Sequence, residues 1–175
     1  MNSVQPSTTG HSNSEKMAYA NTYLTHVPIK NQRSIGVTEE TLEKIKDVVQ
    51  LVALNATTNR AFVSAVVAEH LKEYKFVHEF MRRFAYNRLL TGDLEKFLSP
   101  YDEYAATYLA PNSENRNTAW VRVDSECVEA MKQIVSWQGN GATIGSFADA
   151  IIKAHLAKYD SLLGDMKSDV FNCQP

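Results

Sequence analysis

The chain has 175 residues, 44% of them apolar, and 20 acidic side chains against 18 Lys and Arg give it a net charge of −2. This content suffices for a core in one domain or a pair of small ones, and no apolar run reaches the ~20 residues of a bilayer-spanning helix. The N-terminus lacks a charged segment followed by an apolar stretch, so no secretory signal is expected; Cys127 and Cys173 make no disulfide framework and read as plain thiols of a reducing cytoplasm.

Residues 1–29, rich in Ser, Thr, Asn and Gln, predict a flexible arm anchored only by Tyr19, Tyr23 and Leu24. The pattern then changes to alternation. Ile35 and Val37 fall on one face and Gln32, Ser34 and Gly36 on the other, which predicts a short strand over Asn31–Val37. Thr38 has the chemistry of a helix N-cap, and Leu42, Ile45, Val48 and Val49 follow at helical spacing. In the turn after them Thr57, Thr58 and Asn59 can cap a second helix, with Arg60 beside them. That helix carries Phe62, Ala65, Val66, Val67, His70, Leu71 and Tyr74. The apolar stripe continues through Phe76, Val77, Phe80, Met81, Phe84 and Leu89, predicting an extension to about Leu90 with Gly92 as its stop. Arg82, Arg83 and Arg88 flank the extension and form the densest basic cluster of the chain. Two short helices are expected next, Asp93–Leu98 and Ser99–Ala110, the second opened by Ser99-Pro100. Residues 111–117 read as a linker.

The alternation returns at Thr118, with Val121 and Val123 on one face and Trp120 and Arg122 on the other. Asp124 is a capping residue, Glu126 suits the positive end of a helix, and Val128, Met131, Ile134 and Val135 form its apolar face. Gly139, Asn140 and Gly141 stop that helix. Thr143 and Ser146 cap a last one bearing Phe147, Ala150, Ile151, Ala154, His155 and Tyr159. The order strand, helix, turn, helix therefore occurs twice. Leu42 and Val128 are 86 positions apart, as are Ile45 and Met131; Phe62 and Phe147, His70 and His155, and Tyr74 and Tyr159 are 85 apart. A one-residue difference confined to a turn, with register kept on both sides, is what a structural repeat tolerates. The chain divides into an arm (1–29), a first repeat (30–74), a helical spacer and linker (75–117), a second repeat (118–160) and a polar tail (161–175).

Each copy resembles a ribbon–helix–helix unit of the Met and Arc repressor superfamily, over Gln32–Tyr74 and Thr118–Tyr159, with Ala119-Trp-Val-Arg-Val-Asp-Ser-Glu126 the most specific stretch. The later copy is also similar to a group of small proteins from Bacteroidetes conjugative elements, and two such units in one chain resemble relaxosome accessory proteins of the F-plasmid type. The resemblance implies a mainly α fold whose two repeats pair through a two-stranded antiparallel ribbon. A lone unit leaves its strand edges unpaired, so the copies either clasp each other as a pseudo-twofold dimer in one chain or pair with a second chain. It further implies that the ribbon's outer face enters the DNA major groove. Base contacts would come from Gln32, Ser34, Gly36, Thr118, Trp120 and Arg122. Phosphate contacts would come from Arg33 and from the helix starts at Thr57, Thr58, Asn59, Arg60, Thr143 and Ser146. Arg122 is the strongest of these, because a guanidinium can bond guanine O6 and N7 together for ~1–3 kcal/mol of discrimination. Trp120 has three readings: a contact with thymine methyls or sugar, a protein interface, and an indole folded inward. The two outer faces differ, so the preferred DNA site is expected to be asymmetric.

Charge opposes this reading: affinity for DNA comes mainly from cations on phosphates, and no segment of the chain is strongly basic. Binding would need Arg33, Arg60, Arg82, Arg83 and Arg122 to converge. Catalysis is not expected. The five histidines (His11, His26, His70, His78, His155) lack metal-ligand spacing, and no phosphate loop, nucleophile elbow or zinc-protease motif occurs, so no cofactor or metal is expected. His70 and His155 read as packing residues with one satisfied ring nitrogen. The expectation is a cytoplasmic, nucleoid-associated protein that binds double-stranded DNA as a transcriptional regulator or a conjugation or mobile-element accessory factor. Its further partners would be other copies of itself and a protein docked on the aromatic spacer, with no membrane. The alternative is an assembly or antitoxin-like module that keeps the fold without DNA.

Overall fold

A computed structural model describes residues 10–86, 95–111, 118–138 and 141–172. The protein is mainly helical with one two-stranded antiparallel sheet. In chain order the elements are α1 (Asn13–Tyr19, continued by a π-helical turn Ala20–Leu24), β1 (Gln32–Thr38), α2 (Glu39–Asp47, continued by a π-helical turn Val48–Val52), α3 (Asn59–Glu73), α4 (Lys75–Tyr86), α5 (Glu95–Tyr108), β2 (Thr118–Asp124), α6 (Ser125–Gln138), α7 (Ile144–Lys158) and α8 (Asp160–Asn172). No helix among the described residues is long and apolar enough to cross a membrane.

The strands alternate as their sequences predict. Ile35, Val37, Val121 and Val123 are buried, and Ser34, Trp120 and Arg122 are exposed. Both strands come from this one chain, paired so that Ile35 faces Val121 and Ser34 faces Arg122. α7 packs on β1 and α3 on β2, so each strand is covered by the helix that follows the other strand. Two polar contacts fix this crossing. Asp149 of α7 accepts from the Thr38 amide at 2.8 Å, and Ser64 of α3 accepts through Oγ from the Asp124 amide at 2.9 Å. Around them Phe62, Val63, Val67, Ile45, Met131, Phe147 and Ile152 are sealed from solvent in one core. The caps hold too: Thr38 Oγ1 accepts from the Thr41 amide, and Asp124 Oδ1 from the Glu126 amide at 2.8 Å.

Four expectations need correction. Residues 13–24 of the expected arm are helical: Ser12 and Glu15 form a reciprocal capping box, and Tyr19 and Leu24 are buried. Polar composition hid an apolar stripe only a few residues wide. The last segment, read as a polar tail, is helix α8 through Asn172, because Leu162 and Leu163 bury against the π-helical turn after α2. The helix from Asn59 does not run on unbroken; α3 ends at Glu73 with Tyr74 as its C-cap, and α4 begins at Lys75. Finally, α5 is one helix that passes through Pro100 rather than two. The proline costs one intrahelical bond, roughly 3 kcal/mol. Burial of Tyr104 and Leu109 and the 2.7 Å bond from Tyr101 to Gln138 offset that loss. The expected stops at Gly92 and at Gly139-Asn140, the linker 112–117, Arg88 and Cys173 lie outside the described residues.

Candidate nucleic-acid interface

The outer face of the ribbon carries the candidate residues. Thr118, Trp120 and Arg122 stand exposed along β2, Trp120 at 68%. This decides one ambiguity of the sequence: the indole is not folded inward. Of the base-contact candidates on β1, Ser34 is fully presented. Gln32 is half-buried, and its Oε1 is shut from solvent with no bonding partner. Gly36 offers no open backbone surface, since a Cβ there would meet the Thr118 methyl at 2.7 Å. Its missing side chain admits Thr118, and the missing side chain of Gly145 admits the first turn of α7, where a Cβ would meet the Gly36 carbonyl at 2.8 Å.

The two helix starts beside the ribbon differ. Around α3 an open groove of about 660 Å³ is lined by Thr57, Thr58, Asn59 and Arg60 on one side and Trp120 and Arg122 on the other. Thr58 caps the helix by accepting from the Ala61 amide at 3.2 Å, while the first-turn amides of Asn59 and Arg60 have no intrahelical acceptor. Thr57 is 97% buried by exposure of 3%, and its Oγ1 has no partner. The turn leading here holds Leu54 and Asn55 at φ 49° and 61°. The left-handed region suits asparagine and costs a leucine roughly 1 kcal/mol. At the start of α7 the backbone of Gly145 lies close against the Gly36 carbonyl. Thr143 and Ser146 there spend their hydroxyls on each other's amides, at 2.9 and 3.0 Å, and Ser146 is buried. Their hydroxyl hydrogens are also turned inward, Ser146 Oγ donating to the Thr143 carbonyl at 3.0 Å and Thr143 Oγ1 to Ser146 Oγ at 3.1 Å.

The cations sort in the same way. Arg33 is bonded to Glu129 at 2.6 Å, and Arg82 and Arg83 share Glu79. They do not converge with the ribbon into a patch. Arg60 and Arg122 do meet in one groove, and neither has a carboxylate partner among the described residues.

Sequence reasoning missed two aromatic clusters on the other side of the helix pair. Tyr19 bonds His155 Nε2 at 3.0 Å, and Tyr104 bonds His70 Nε2 at 2.9 Å and His78 Nε2 at 2.6 Å. Burial first of all holds His70 down to about 3 and His78 and His155 to about 4, so all three are neutral. Each of His70 and His155 thus has the satisfied ring nitrogen expected of a packing residue. A sequence feature could have found the clusters: Tyr19-Ala-Asn-Thr-Tyr-Leu24 returns as Tyr104-Ala-Ala-Thr-Tyr-Leu109, again 85 positions on. No grouping of His, Cys, Asp and Glu among the described residues could hold a metal ion. Burial pushes the Cys127 thiol up to about 11, leaving it protonated.

Fold and groove define a helical protein built on a short antiparallel ribbon, with a cationic recess on one flank of its outer face. Residues 2–80 match the family described as "Protein of unknown function (DUF3408)". No curated protein and no solved structure matches the chain.

Proposed function

We propose that the protein binds double-stranded DNA by laying the outer face of its β1–β2 ribbon in the major groove, as a transcriptional regulator or mobile-element accessory factor. The chain acts as a pseudo-twofold dimer of ribbon–helix–helix units. Support for that symmetry is arithmetic: equivalent strand residues are 86 apart, and Ile35 pairs with Val121, its own equivalent, so the axis passes through that pair. The reciprocal contacts Asp149–Thr38 and Ser64–Asp124, and Tyr19–His155 and Tyr104–His70, relate by the same operation. The observation that carries the DNA reading is the groove in which Arg60 and Arg122, without a carboxylate partner among the described residues, flank Trp120 and the start of α3. Phosphate suits the helix start and Arg60, and Arg122 reads guanine. On the opposite flank Gly145 and Gly36 stand at the positions that match Arg60 and Arg122, so contacts are one-sided and the target is not a palindrome.

Selection of a target duplex from random sequence, followed by gel retardation at low salt, tests this. Arg122→Ala is expected to remove preference at one base position, ~1–3 kcal/mol, with an unchanged circular-dichroism spectrum. Wild-type protein without salt-sensitive DNA affinity would sink the proposal. The second reading, an antitoxin-like or assembly module, draws on the net charge of −2 and on Phe76 and Phe84 exposed on α4, a face suited to a protein partner.

A further inference from the structure

At the C-terminal ends of α3 and α7 lies a cleft unrelated to the ribbon. It measures about 70 Å³, several times the ~10–15 Å³ that one water needs. Its walls are paired. Tyr23 stands edge-on to His155 and Tyr108 edge-on to His70, each with centroids 4.5 Å apart. Tyr23 packs against Tyr159 with ring centroids 5.8 Å apart and Tyr108 against Tyr74 at 5.5 Å, and burial first of all keeps the Tyr23 and Tyr108 phenols neutral. Four tyrosine rings therefore surround the space in two equivalent couples.

The rim breaks the symmetry. Glu69 and Glu73 stand on the α3 side; the positions 85 residues later are Ala154 and Lys158. With both histidines neutral, the lining carries two negative charges and one positive, and Lys72, 77% exposed just outside it, reaches Glu69 at 3.4 Å. Lys158 already shows what the site favours. Its ammonium lies 5.6 Å from the Tyr159 ring centroid and 3.6 Å from Glu73, the arrangement by which a cation is held over an electron-rich face. Lys158 is largely exposed, so it holds this place weakly.

We infer that the cleft is a binding site for a small organic cation, an alkylated ammonium that lies among Tyr23, Tyr74, Tyr108 and Tyr159 and is paired with Glu69 and Glu73. The site stands on its own geometry and does not depend on the DNA reading. An anion is disfavoured by the two carboxylates, and a hard metal ion by the absence of a converging oxygen set among the described residues. A compact cation with apolar substituents satisfies both rings and rim.

Tetramethylammonium chloride titrated into the whole chain, against sodium chloride at matched ionic strength, tests this through tyrosine ring resonances. Saturable shifts are expected. Glu69→Gln with Glu73→Gln should weaken binding roughly 3- to 10-fold. Lys158→Met, which removes the competing internal ammonium, should tighten it by a few fold. Glu73 and Lys158 are largely solvated and Glu69 is half-buried, and a melting curve checks each variant's fold. Absence of saturation up to ~100 mM, or one affinity shared by wild type and both variants, would overturn the inference.

Discussion

Asp149 is the side chain on which the packing of α7 against β1 turns. Burial alone would raise its carboxyl, yet Lys153, the Thr38 amide and the Thr41 hydroxyl together hold it below the ordinary range. Asp149→Ala strands a Thr38 N–H and removes a bond to a charged acceptor, so a loss of about 2–3 kcal/mol is expected in urea denaturation. Ser64→Ala at the equivalent place should cost less, roughly 1 kcal/mol, because a neutral bond is lost. Gly145 gives a sign test. Alanine in a helix interior normally gains ~1 kcal/mol over glycine, but here the new Cβ meets a backbone carbonyl at 2.8 Å. Overpacking against an immovable group costs ~1–3 kcal/mol. Gly145→Ala is therefore expected to lower the melting temperature despite its better propensity.

Among the elements, α1 and α8 were the least legible. Both are short and polar, and their helicity rests on a few buried anchors and on each other: Lys16 meets Asp169 at 2.7 Å and the His11 amide bonds Asp165 at 2.8 Å. Short helices draw most of their stability from tertiary packing. Leu163→Ala should consequently cost about 2–3 kcal/mol, the lower part of the usual core range, seen as an earlier thermal transition. The strands were legible because their period-two pattern is local and strong in Ile35–Val37 and Val121–Val123. The hexapeptide shared by Leu24 and Leu109 was equally present in the sequence, but half of it sat in what composition labelled an arm and half in what looked like a spacer.

Across the whole molecule the buried histidines set the response to acid. His70, His78 and His155 titrate near 6.5 when unfolded, and burial holds them to about 3, 4 and 4 when folded. The unfolded chain therefore binds more protons between those values. Their contribution to stability is complete above about pH 6.5 and falls as pH drops towards 4, by at most ~1.4 kcal/mol per histidine per pH unit. Urea midpoints at pH 7 and pH 5 should differ in that direction. His78 is matched by Leu163 in the second half, so His78→Leu should flatten the decline without abolishing it.

The sequence by itself determined the two short strands, their inner and outer faces, the capping residues Thr38 and Asp124, and the doubled strand–helix–helix order, since each depends on residues within a few turns of one another. Only the tertiary structure decided that the strands pair within one chain. It also decided that Arg60 meets Arg122 while Arg33, Arg82 and Arg83 are tied to carboxylates, and that four tyrosines from distant segments enclose one cleft. Those outcomes depend on which helix crosses which strand, and that is fixed by burial summed over the whole core rather than by any local pattern.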